Sequence, residues 1–140
     1  MAGYSPTPLF KKLGYTEAQA KWLIAPPLTL PEISEFAEAK VSTGAKISGG
    51  GRRFDLVHWF VKSRAELETG IAGVADAMRP DAVLWISWPK KASKVPTDIT
   101  EDVLREVILP TGLVDIKVCA VDEVWSGLKF MWRKELRSAL

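Results

Sequence analysis

Apolar residues along this chain fall into short runs divided by Pro, Gly and charged positions. Ala20 to Ala25 is a compact run ended by Pro26-Pro27, which predicts a first strand leading into a rigid loop. Phe54 to Val61 is near-continuously apolar and predicts a strand buried on both faces. Period-two alternation sets Leu56, His58 and Phe60 on one face and Val57, Trp59 and Val61 on the other. Ala82 to Trp88 repeats the pattern and stops at Pro89. Leu113 to Val121 and Leu128 to Arg133 predict two more strands, joined as a hairpin across the loop Asp122 to Gly127.

Between these runs the spacing changes to that of helices. Thr7, Pro8 and Gly14 punctuate a short leading helix, and Pro31 opens an amphipathic stretch over Glu32 to Lys40 with Ile33, Phe36 and Ala37 on one face. Ser63 and Glu66 form a capping box, followed by Leu67, Ile71, Val74, Ala75 and Met78 before Pro80. Asp98 and Glu101 suit the start of another helix, with Val103, Leu104, Val107 and Ile108 as its apolar stripe. Ser42 to Arg53 carries the weakest pattern, with a brief strand at Ala45 to Ile47 and the triplet Gly49-Gly50-Gly51. Strands alternating with helices imply a three-layer, Rossmann-like, mostly parallel sheet with a C-terminal antiparallel hairpin. In such sheets ligands bind beyond the carboxyl ends of the strands, where strand order reverses. The length, 140 residues, fits one domain, with 1–19 as a leading helical segment and 20–140 as the α/β core.

Composition narrows the function classes. With 47% hydrophobic and 26% charged residues, the chain is an ordinary globular sequence rather than a disordered, collagenous or disulfide-scaffold one. A net charge of +2, spread without long runs, gives no reason to expect a nucleic acid partner. No apolar stretch approaches a membrane span and the first residues lack a signal-peptide pattern, so a cytoplasmic protein without membrane attachment is expected. Cys119 has no second cysteine to pair with.

Two groups of residues are candidate sites. Lys62, Arg64, Lys90 and Lys91, with Lys94 behind them, follow adjacent strands and could receive a small anion at one rim of the sheet; solvated lysines at strand ends are the plain alternative. Asp122, Glu123, Trp125, Ser126 and Lys129 crowd the hairpin loop, and Trp88, Trp125 and Trp132 stand at strand ends where a large aromatic can anchor an interface. Asp122, Ser126 and Gly127 could equally serve the turn itself, Gly127 through an unusual backbone angle. Trp22, Trp59 and Trp85 are expected in the core, as is His58. One His and one Cys exclude a Cys/His zinc site, and no calcium-loop, Walker or dinucleotide motif is present, so neither a metal nor a cofactor site is expected.

The order of elements from Ala20, the Phe54-Asp55-Leu56-Val57 strand with its early acid, the capped helix, the Arg79-Pro80-Asp81-Ala82 turn and the terminal hairpin together resemble a shortened class I methyltransferase fold. That resemblance implies S-adenosylmethionine held by a glycine-rich turn after the first strand and by an acidic residue at the end of the second. Here the turn is Ala25-Pro26-Pro27-Leu28, with no Gly and two amide donors missing, and Val41 to Arg53 holds no clear acidic counterpart. More closely, the full chain resembles a family of small bacterial proteins described only as a domain of unknown function. The matching stretches are Gly3-Tyr4-Ser5, Thr7-Pro8-Leu9, Lys11 to Gly14, Ser87-Trp88-Pro89-Lys90-Lys91, Lys117 to Glu123 and Trp125 to Phe130. The leading expectation is a non-catalytic methyltransferase-like domain with a binding or regulatory role. The alternatives are an enzyme or binder using the sheet-end cleft for a small anionic ligand, and a homo-oligomer or protein-partner module built on the edge hairpin.

Overall fold

The computed structural model describes residues 13–16, 19–27, 39–44 and 51–140. Among these, six strands form one sheet: β1 (Lys21–Ile24), β2 (Ala39–Ser42), β3 (Phe54–Phe60), β4 (Met78–Pro89), β5 (Leu113–Ala120) and β6 (Trp125–Trp132), in the order β2-β1-β3-β4-β6-β5. The first four run parallel, and β6 is antiparallel to both β4 and β5. Strand order therefore reverses between β1 and β3. Helices α1 (Arg64–Ala77) and α2 (Glu101–Ile108) follow β3 and β4, and a short α3 (Lys134–Arg137) ends the chain.

The sheet separates two cores. On one face Trp22, Val57, Trp59, Ile86 and Phe130 pack against Leu67, Ile71 and Val74 of α1 and Leu104 and Ile108 of α2. On the other, Leu23, Leu56, Phe60 and Trp85 meet Leu13, Tyr15, Val121 and Trp125. This is the alternation expected for β3, and it explains a strand that is apolar at nearly every position. Ser63 caps α1, its hydroxyl accepting from the Glu66 amide, and Asp98 accepts from the Arg64 amide at 2.7 Å. The cap of α2 is Thr100, which accepts from Val103, so Asp98 braces α1 instead of starting α2.

Several expected boundaries shift for identifiable reasons. Met78 and the Arg79-Pro80-Asp81 segment belong to β4 rather than to the helix and a turn, because Phe54 pairs with Met78 beside a bulge and Arg52 donates to the Ala75 and Met78 carbonyls, closing α1 at Ala77. Residues Ala39 and Lys40 open β2 instead of ending a helix, and the strand expected at Ala45 to Ile47 falls outside the described residues, as do the leading helix over 7–12 and most of the stretch from Pro31. Trp125, Ser126 and Gly127 continue β6 through pairing with Pro89, Trp88 and Ser87, shortening the hairpin loop to four residues, 121–124. Gly127 has no left-handed backbone; a Cβ there would stand 3.3 Å from both the Trp85 ring and Val121, so close packing favours the glycine.

Candidate ligand cleft at the carboxyl ends of the strands

Two recesses open at the end of the sheet where strand order reverses. The larger, about 670 Å³, lies on the helix-covered face and is lined by Ala25, Ser42, Thr43, Gly44, Trp59 and the first turns of α1, including Glu66 and Gly70. The smaller, about 290 Å³, lies on the opposite face and is lined by Ala25, Pro27, Phe60, Lys62, Glu66 and Trp125. Ala25 and Glu66 belong to both, so the recesses adjoin around the ends of β1 and β3. Pro27 forms a wall and leaves the space open.

Ala25 has φ of 54°, a left-handed conformation that favours glycine, and its amide donates to the Ser42 carbonyl at 2.7 Å. The chain thus makes a glycine-type backbone turn with an alanine, immediately before two prolines. Ser42, the last residue of β2, carries no charge; its hydroxyl accepts from the Trp22 indole at 2.9 Å and donates to the Gly44 carbonyl.

The four expected anion-binding residues do not converge. Lys62 is exposed in the smaller recess and makes no ion pair among the described residues. Arg64 turns to Glu106 at 2.8 Å and Glu68 at 3.3 Å, and those hydrogen bonds raise its pKa, the one to Glu106 contributing most. Lys90 donates to the Asp122 carbonyl at 2.6 Å and ties the hairpin loop to the end of β4. Lys91 and Lys94 line a separate cleft of about 750 Å³ beside Glu101 and Asp102.

The hairpin group is also redistributed. Trp88, Trp125 and Trp132 are buried, at 7%, 7% and 5% exposure, which removes the exposed aromatic surface expected of them. Phe60 and Trp125 meet edge to face at 5.2 Å, and Arg52 stacks over Trp132 at 5.2 Å. Asp122 accepts from the Val124 and Trp125 amides, the turn role that was its alternative reading. Glu123 is exposed and Ser126 half-buried; Lys129 stands directly opposite Lys117, and its pKa is lowered by partial burial first and by that neighbour second.

Beneath the recesses runs a polar chain that sequence spacing did not show. His58 Nδ1 lies 2.6 Å from the Tyr15 hydroxyl and its Nε2 2.6 Å from the Ser87 hydroxyl. His58 and Ser87 are fully buried. Burial lowers the imidazole pKa to about 3 and raises that of Tyr15, so both groups are neutral. A neutral imidazole donates from one ring nitrogen and accepts at the other, so a single ring satisfies both hydroxyls. The constellation has the order of a nucleophile, base and orienting group. Its serine has no access to solvent, so the chain is a structural brace between β3, β4 and the segment at Tyr15. A second brace is the Trp85 indole, which donates to the Leu13 carbonyl at 2.7 Å. Among the described residues no three His, Cys, Asp or Glu side chains cluster to hold a metal, and no helix is long and apolar enough to cross a membrane.

Solved structures share this fold. A SAM-dependent methyltransferase from Aquifex aeolicus matches with a TM-score of 0.71 at 15% identity, over 89% of this chain and 88% of that one. The fold is that of the class I methyltransferases. A second example, from Methanosarcina mazei, has a TM-score of 0.60 at 11% identity, over 93% of this chain and all of that one. LepI, solved in complex with SAM, matches at 0.54 and 10% identity, over 89% of this chain but 39% of its own. No protein-family model matches the sequence, and no curated protein does. Identities this low establish the methyltransferase fold alone. In that fold the recesses lie at the switch point where a ligand is expected. The glycine-rich turn and terminal acid implied by the resemblance are replaced here by Ala25-Pro26-Pro27 and Ser42.

Proposed function

We propose that this chain is a methyltransferase-fold binding domain that does not transfer methyl groups and holds a small ligand other than S-adenosylmethionine at its sheet end. The reading is carried by the turn after β1. Ala25 holds a left-handed backbone that favours glycine yet carries a Cβ, and Pro26 and Pro27 have no amide hydrogens to offer a bound group. Loss of an acid at the end of β2 removes a partner for ribose hydroxyls, while the open recesses leave room for a different molecule. A simple anion site gains little support, since only Lys62 of the four expected cations faces this space. Membership in the family of small bacterial proteins, and a regulatory use of the bound ligand, belong to the same proposal.

Calorimetric titration of S-adenosylmethionine into the full chain tests it. The expected result is no saturable heat at micromolar protein; a micromolar dissociation constant overturns the reading.

A further inference from the structure

Lys62, just before the cap of α1, and Glu66 in its first turn are opposite charges that line the same recess, yet no ion pair joins them. The Glu66 carboxylate instead accepts from the Ser63 hydroxyl at 3.2 Å, and the Lys62 ammonium has no carboxylate partner among the described residues. Among the described residues, the other walls, Ala25, Pro27, Phe60 and Trp125, are apolar. Two charges of opposite sign, neither held in an ion pair, at the rim of a space whose other described walls are apolar match a ligand that carries both charges itself.

We infer that the smaller recess binds a compact amphoteric molecule with an aromatic or apolar body, in the manner of a free amino acid, its carboxylate on Lys62 and its ammonium on Glu66. This rests on the proposed function and names the class of ligand. The volume, about 290 Å³, lies just below the roughly 300–1,000 Å³ typical of ligand pockets and suits an amino acid better than a nucleoside. Phe60 and Trp125 supply the aromatic wall, held edge to face at 5.2 Å, and the Phe60 ring is backed by His58 stacked at 4.2 Å. The recess floor is thereby fixed by the Tyr15–His58–Ser87 brace. A charge-assisted hydrogen bond at each end contributes enough to separate the amphoteric ligand from an analogue lacking one charge by about tenfold.

The test uses three matched probes, L-phenylalanine, 3-phenylpropanoate and 2-phenylethylamine, titrated into the full chain at millimolar concentration and followed by amide chemical shifts. L-Phenylalanine should saturate with an affinity about tenfold better than either analogue, shifting residues around Ala25 and Glu66. Lys62→Met should weaken L-phenylalanine to the level of the amine, and Glu66→Gln, which preserves the capping box, to the level of the acid. Circular dichroism confirms that both variants fold. Equal binding of all three probes, or no saturable shifts with L-phenylalanine, overturns the inference. S-Adenosylmethionine in a parallel titration separates the two ideas: micromolar binding of it defeats the proposed function, whereas absence of all binding defeats only the ligand class.

Discussion

Replacing His58 by glutamine removes the titrating group of the buried brace while keeping a hydrogen-bonding side chain. The imidazole has its ordinary pKa of 6.5 in the unfolded chain and about 3 in the folded one, because burial disfavours the charged ring. Between those values the unfolded state binds a proton that the native state does not, so stability is full above pH 6.5 and falls as the pH drops toward 3. Each pH unit in that window corresponds to about 1.4 kcal/mol. At pH 4.5, two units below 6.5, His58 alone removes about 2.7 kcal/mol, a large part of a total of roughly 5–15 kcal/mol. The glutamine cannot bridge both Tyr15 and Ser87, and leaving one buried hydroxyl unpaired costs about 1–3 kcal/mol at pH 7. Urea unfolding followed by tryptophan fluorescence at pH 7 and pH 4.5 should therefore show the variant weaker at pH 7, with the gap closing by about 2.7 kcal/mol or inverting at pH 4.5. Surface carboxylates affect both proteins alike and cancel in the comparison. A gap of the same size at the two pH values refutes a neutral, desolvated His58.

Three further substitutions probe the packing. Ala25→Gly relieves the left-handed alanine and should stabilise the chain by about 1 kcal/mol, read as a rise of a few degrees in Tm; a loss of stability would show that the turn does not carry that strain. Gly127→Ala places a Cβ against a Trp85 ring already fixed by its bond to Leu13 and should cost about 1–3 kcal/mol, whereas an unchanged denaturation midpoint would mean the ring can move aside. Trp125→Ala should cost about 3–5 kcal/mol in chemical unfolding, as befits a buried core residue; a partner surface at this position would leave monomer stability nearly untouched.

The legible parts of the fold are those where local pattern and long-range pairing agree. The runs at β1, β3 and β4 are apolar on both faces because they lie inside the sheet, and the Ser63 cap states the start of α1 outright. The four residues of β2 have no such pattern, since strand character there comes from parallel pairing with β1. Met78 fits a helical stripe as well as a strand, and only its pairing with Phe54 decides between them. Polar Ser126 and small Gly127 look like loop residues until β4 supplies their partners. The same reasoning applies to the site. Its location followed from topology, and Lys62 was visible at a strand end, but an alanine gives no sign of a left-handed backbone. The brace joins residues 43 and 29 positions apart, beyond the reach of any spacing rule. Lys90, at the end of a strand, looks like a rim cation free for an anion or for solvent; a carbonyl on the hairpin loop claims it instead.

In the proposed function, a methyltransferase fold keeps an open sheet-end cleft but does not bind S-adenosylmethionine. Amide chemical shifts of the isotope-labelled full chain during titration with that cofactor test this at the residues that line the cleft. No saturable shifts are expected at Ala25, Ser42, Gly44 and Gly70 up to millimolar cofactor. Saturating shifts at those amides with a micromolar constant would contradict it.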